Sequence, residues 1–146
     1  MGLTPQDRLE LYELYARYAH TFDGGDAAGF AGVFAPSGRI VRADGTEIAG
    51  RDALRKLCVD RTADAPGISH HHTNISVWED AGGVHGAAYF LVLRACPELG
   101  LLFRGIGRYA DEFTRDDDRW VFAARYVKPW LTAAGGEVKV AFEERA

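Results

Sequence analysis

The chain has little from which to build a covalent or metal-clipped scaffold. Its 146 residues include two cysteines, Cys58 and Cys96, whose separation fits neither a disulfide framework nor a zinc site. Both read as buried small hydrophobes in a reduced, cytoplasmic protein. No window approaches the roughly 20 apolar residues of a membrane helix, so no membrane partner is expected. The opening Met1-Gly2-Leu3-Thr4 lacks the basic and then apolar stretch of a secretory leader. Arginines are scattered rather than striped and the formal net charge is −4, which argues against nucleic acid as a partner. There is no internal repeat and no low-complexity segment.

What is present is ordinary for a globular protein, with 47% hydrophobic and 26% charged residues. A chain of this length supports one core. The expected organisation is a single domain over residues 1–132 and a tail over 133–146. In the tail Val138, Val140 and Phe142 alternate, so it adds a strand or lies over a pocket.

The first segment carries helix signals. Thr4 is a candidate N-cap, Pro5 suits the first helical position, and Asp7 sits three residues after the cap. Leu11, Tyr15, Tyr18 and Phe22 recur on one helical face, with Tyr12, Ala16, Ala19 and Asp23 as the adjacent stripe. Gly24-Gly25 stops the helix. Asp26 caps a short second helix through Phe34, and Pro36-Ser37-Gly38 reads as a turn. A hairpin follows, 39–43 and 46–49 around Asp44-Gly45. A third helix spans about 51–62 and ends at Ala65-Pro66-Gly67. Segments near 70–79, 84–95, 101–114 and 119–132 read as consecutive antiparallel strands. Helices followed by a meander predict an α+β fold, with helices gathered on one face of a curved sheet.

Four positions stand out chemically. Asp23 continues the stripe beside the buried helix face, where a carboxylate is costly without a partner; a helix-terminal Asp turned to solvent is the competing reading. In Ser69-His70-His71-His72-Thr73-Asn74, strand alternation puts His70, His72 and Asn74 on one face. An inward histidine beside a carboxylate is a general base in waiting, whereas an exposed polar strand start is the plain alternative. His70, His72 and Asp23 also fit a two-His-one-carboxylate pattern, but no second ligand motif supports it and no metal is expected. In the last long strand Trp120, Phe122 and Ala124 share one face. Arg125 interrupts the other, small apolar face of Val121, Ala123 and Val127, where it either steadies an anion or lies along an outer surface. Tyr18 offers a phenol near Asp23 or serves as core.

Tyr15, Phe22, Phe34, Leu54, Phe90 and Phe103 are core candidates that would also make an interior pocket apolar. Gly105-Ile106-Gly107 lies within a strand and is no phosphate loop; its glycines mark a bulge or bend. Asp116–Asp118 lacks the alternating ligand spacing of a calcium loop.

These pieces resemble the SnoaL-like branch of the nuclear-transport-factor-2-like superfamily over about residues 5–130. The resemblance rests on YAHTFDGGD (18–26), FAPSG (34–38), GRDAL (50–54), HHHTN (70–74), GRYAD (107–111) and Trp120 through Arg125. It implies a cone-shaped, curved mixed or antiparallel sheet wrapped around about three N-terminal helices and enclosing a pocket. By similarity to scytalone dehydratase and hexachlorocyclohexane dehydrochlorinase, the catalytic dyad falls on Asp23 and His70 and a pocket arginine on Arg125. The dehydratase's second histidine falls near Arg94 and is absent. Ketosteroid isomerase's oxyanion tyrosine falls on Tyr18, but its catalytic Asp falls near Arg42.

The resemblance implies a lyase or isomerase performing dehydration, elimination, double-bond migration or aldol-type cyclisation. Catalytic roles would fall to Asp23, His70, Tyr18 and Arg125. Tyr15, Phe22, Phe34, Leu54, His72, Asn74, Phe90 and Phe103 would line a site for a small apolar or aromatic substrate. Such chemistry needs no cofactor. A binding or assembly module of the same fold is the alternative, and a homodimer through the outer sheet face, or a higher homo-oligomer, is expected.

Overall fold

The computed structural model describes residues 2–134 and 137–140. Helix α1 spans Pro5–Asp23, and its start is the expected capping box, with Thr4 and Asp7 exchanging side-chain to backbone hydrogen bonds. Its end is held by the Gly24 N–H bonding to the His20 carbonyl, and Gly25 has a φ of +72° that only glycine adopts cheaply. Asp26 caps α2, Ala27–Gly32, through the Gly29 N–H. Helix α3 runs Arg51–Asp64. No helix among the described residues is long and apolar enough to cross a membrane.

The strands are β1 Phe34–Val41, β2 Glu47–Ala49, β3 Ile68–Asp80, β4 Gly83–Cys96, β5 Gly100–Asp116, β6 Arg119–Ala134 and β7 Glu137–Val140. They form one curled, open mixed sheet in the order β2-β1-β6-β5-β4-β3, with β7 also on β6. The β1–β6 pair is parallel and the rest are antiparallel. The long β6 therefore shares one edge between two partners, β1 against Phe122–Tyr126 and β7 against Leu131–Ala134. Of the two fates open for the tail, residues 137–140 take the strand; residues 141–146, Phe142 among them, lie outside the described residues. The turn expected at Pro36-Ser37-Gly38 is an interruption within β1, where pairing with β6 jumps from Phe34 to Arg39.

The three helices cover the concave face of the sheet. The main core unites Leu11, Leu14, Tyr15, Tyr18 and Phe22 of α1 with Phe30, Phe34, Leu54 and Phe122. A second, smaller cluster of Ile68, Phe90, Val92 and Tyr109 has Ala65, just past α3, packed against it. Rings from the two clusters meet at Tyr18 and Tyr109, whose centroids are 6.2 Å apart. The site residues gather at this junction.

Candidate active site

Asp23 is the last residue of α1, and β3 runs alongside the helix as a sheet edge. Their meeting is specific. Asp23 Oδ2 accepts from the His70 backbone N–H at 2.7 Å, and Asp23 Oδ1 lies 2.5 Å from His70 Nδ1. A carboxylate acceptor keeps the proton on Nδ1, which leaves Nε2 with its lone pair. The imidazole is nearly buried, with 7% of its side chain exposed against 19% for Asp23. Its ring rests on Phe22 at 5.2 Å and meets Tyr18 edge-on at 6.4 Å. Of the two readings of Asp23, the inward one with a partner describes the structure.

His72 lies on the same face but is used differently. Its Nδ1 donates to the Tyr15 carbonyl at 3.1 Å, while Nε2 is buried without a partner among the described residues. Burial, followed by the field of Arg125, pushes its pKa down to about 3, so it is a neutral acceptor near pH 7. His71 is exposed and pairs with Ser69. With Asp23 occupied by His70 and the His72 Nδ1 committed to a carbonyl, no His/Cys/Asp/Glu group suited to a metal forms among the described residues.

Arg125 is fully buried. Its Nε and Nη2 donate to Asp111 at 2.8 and 3.0 Å, and the Tyr15 hydroxyl donates to the same carboxylate at 2.6 Å. The guanidinium carbon lies 4.0, 4.2 and 4.2 Å from the ring centres of Tyr109, Tyr18 and Phe122. Burial opposes its charge, but paired Asp111 outweighs that and holds the arginine more firmly protonated than usual. Nη1 has no partner among the described residues. Burial also raises the Tyr18 and Tyr109 pKa values, so both phenols remain neutral donors.

Three expectations need correction. Arg125 does not lie on the face opposite Phe122: Glu112 pairs Ala124 while Phe113 pairs Phe122, so Ala123 is an extra residue and the bulge turns both side chains inward. Asn74 does not share a face with His70 and His72. It sits exposed at a β3 bulge with φ +54°, and the inward phase passes to Ile75 and Val77. Nor do the apolar candidates, Tyr15 excepted, line the cleft beside the Asp23–His70 pair. Phe34 and Leu54 are fully buried core, Phe22 stacks on Phe30, Phe90 stacks on Tyr109, and Phe103 is half-buried opposite Leu93. The cleft beside the Asp23–His70 pair, about 580 Å³, runs along the α1–β3 seam. Tyr15 and His72 line it, with Tyr12, Ala16, Ala19 and Thr73.

Asp111 and Tyr109 escape the sequence reading. The signal for them is the β5 alternation Tyr109, Asp111, Phe113, which places a carboxylate within an inward aromatic row.

Comparison with known proteins agrees with this architecture. Rv3472(D26N), a function unknown protein from Mycobacterium tuberculosis, superposes with a TM-score of 0.77 and 28% identity, covering 86% of this chain and 76% of that one. Aln2 from a Streptomyces species superposes at 0.77 with 23% identity over 87% and 93%. A protein from Catenulispora acidiphila in complex with S-DNPA does so at 0.74 with 23% identity over 86% and 95%. No curated protein matches the sequence. Residues 4–126 match the family model of the SnoaL-like domain, so this chain belongs to the SnoaL-like family.

Proposed function

We propose that this protein is a small-molecule lyase or isomerase in which His70, oriented by Asp23, removes a proton from carbon. The observation that carries this reading is the hydrogen bond between Asp23 and His70 Nδ1, which leaves Nε2 as the base. The C–H proton passes to Nε2, and Asp23 steadies the resulting imidazolium. The electron pair left on carbon delocalises onto an adjacent carbonyl, expels a leaving group, or attacks a second carbonyl to close a ring. Tyr18, a protonated phenol, donates to the oxygen on which negative charge develops, and Arg125 supplies a buried positive field behind it. A small apolar or aromatic molecule is the substrate this lining favours; the Catenulispora acidiphila relative holds S-DNPA within the same fold.

The test is proton exchange. Wild-type protein in D₂O, incubated with a panel of aromatic β-keto compounds, is expected to speed deuterium uptake at the activated carbon, read by NMR. His70→Ala should slow that uptake by at least about 10²-fold, and Asp23→Asn should slow it substantially by removing the anionic partner of the imidazolium. Unchanged exchange in His70→Ala would sink the general-base role and leave a binding module.

A further inference from the structure

Helix α3 pairs its cations carefully, with one exception. Arg51 bonds Asp116 at 2.6 Å, Arg55 bonds Asp52 at 2.8 Å, and Lys56 bonds Asp60 at 2.6 Å. The Arg61 side chain makes no ion pair or hydrogen bond among the described residues, although its Nε is buried. Its guanidinium carbon lies 6.0 Å from the centre of the Phe22 ring, and that ring rests on His70. The same Phe22 ring thus touches both an unpaired guanidinium and the proposed base. One turn beyond Arg61, Ala65 packs against the cluster of Ile68, Phe90, Val92 and Tyr109, which anchors the end of α3 over the junction of the two cores.

A second unpaired arginine comes from the sheet. Val92 pairs with Gly105 and Leu93 with Phe103, so Arg104 is an extra residue in β5. Bulges of this kind re-aim a side chain. Arg104 also lacks an ion-pair partner among the described residues, and its charge lies close enough to act on Arg61. Burial first, and Arg104 among the smaller causes, lower the Arg61 pKa. Asp23, the carboxylate whose field reaches Arg61, already uses both oxygens on His70. A half-buried cation with a like-charged neighbour and no counter-ion is costly, and an arriving anion removes that cost.

We infer that Arg61, aided by Arg104, anchors a carboxylate carried by the substrate, on the Phe22 side of the carbon that faces His70. The substrate class is then an aromatic or unsaturated carboxylic acid. This deepens the general-base reading, but the binding does not depend on catalysis.

Calorimetric titration of 2-naphthoate and its neutral isostere 2-naphthamide tests it. Wild-type protein should bind naphthoate at least about tenfold more tightly than the amide, equivalent to about 1.4 kcal/mol. Arg61→Gln should bring naphthoate down to the amide's affinity without changing the amide, and Arg61→Lys should keep part of the preference. Arg104→Gln, on a separate element, should reduce the preference independently, so the idea remains testable should Arg61→Gln fold poorly. His70→Ala should retain the preference. Equal binding of the two probes by wild type, no naphthoate binding at millimolar concentration, or an undiminished preference in both Arg61→Gln and Arg104→Gln would overturn the proposal. Loss of deuterium exchange alone would count against the base and not against the anchor.

Discussion

Two histidines on one strand face take opposite parts because of what touches their Nδ1 atoms. His70 faces a carboxylate, and His72 faces the Tyr15 carbonyl. His72 has its folded pKa at about 3 against an ordinary 6.5. Between those values the unfolded chain binds a proton that the folded chain refuses, so stability rises with pH there and is lost as pH falls from about 6.5 toward 3. The slope from this one group reaches at most about 1.4 kcal/mol per pH unit. Urea unfolding of His72→Asn across that range should give a flatter acid limb than wild type. The Arg125–Asp111 pair belongs to the same scale. Asp111→Ala strands a buried guanidinium and should cost about 3–5 kcal/mol, measured by urea denaturation. The double variant Asp111→Leu/Arg125→Met should recover much of that loss, because two apolar groups leave no charge unpaired.

At the scale of elements, α1 is specified locally and the strands are specified in part by their irregularities. The capping box of Thr4 and Asp7 is reinforced by Trp120 and Arg115, which both donate to Asp7 Oδ1, so the cap also ties α1 to β6 and β5. Thr4→Ala should therefore lower stability by about 1 kcal/mol, within the roughly 0.5–2 kcal/mol range for such caps. In β5 the expectation that Gly107 marks a bend is met by a register shift between Ile106 and Gly107. A Cβ there would stand 2.4 Å from the Lys128 carbonyl oxygen and 2.7 Å from Phe90. Backbone cannot yield as a side chain can, so Gly107→Ala should depress the melting temperature far more than Gly105→Ala, whose nearest atom would be 3.4 Å away.

For the whole molecule, the curled sheet keeps its concave face for the helices and turns Trp78, Tyr89 and Leu101 outward with substantial exposure. Tyr89 meets Trp130 edge-on at 5.1 Å on that side. An apolar outer face of this kind fits the homodimer expected from the family resemblance. Light scattering should then return twice the 16.0 kDa chain mass, and Tyr89→Glu should shift the mass toward a monomer.

The sequence by itself determined α1 from its cap to its glycine stop, the start of α2 at Asp26 though not its end before Phe34, the meander, and the fold class. Those features rest on signals within a few residues: a side chain that satisfies an orphan N–H, a glycine that tolerates positive φ, a period of two or 3.6. It also marked Asp23 as a carboxylate beside a buried helix face and His70 as one of three adjacent histidines, and the family resemblance paired the two, but 47 positions separate them in the chain, and no local signal says that they touch. The tertiary structure supplied the geometry of that contact, and it alone decided the fate of Asn74 and the company of Arg125. In each strand an irregularity, at Asn74–Ile75, Ala123 or Arg104, reverses the inward and outward phase. A bulge depends on how two strands pair across the sheet, so alternation read along one strand cannot anticipate it. Arg61 differs from Arg51, Arg55 and Lys56 for a similar reason: its sequence resembles theirs, and only packing shows that it forms no ion pair among the described residues.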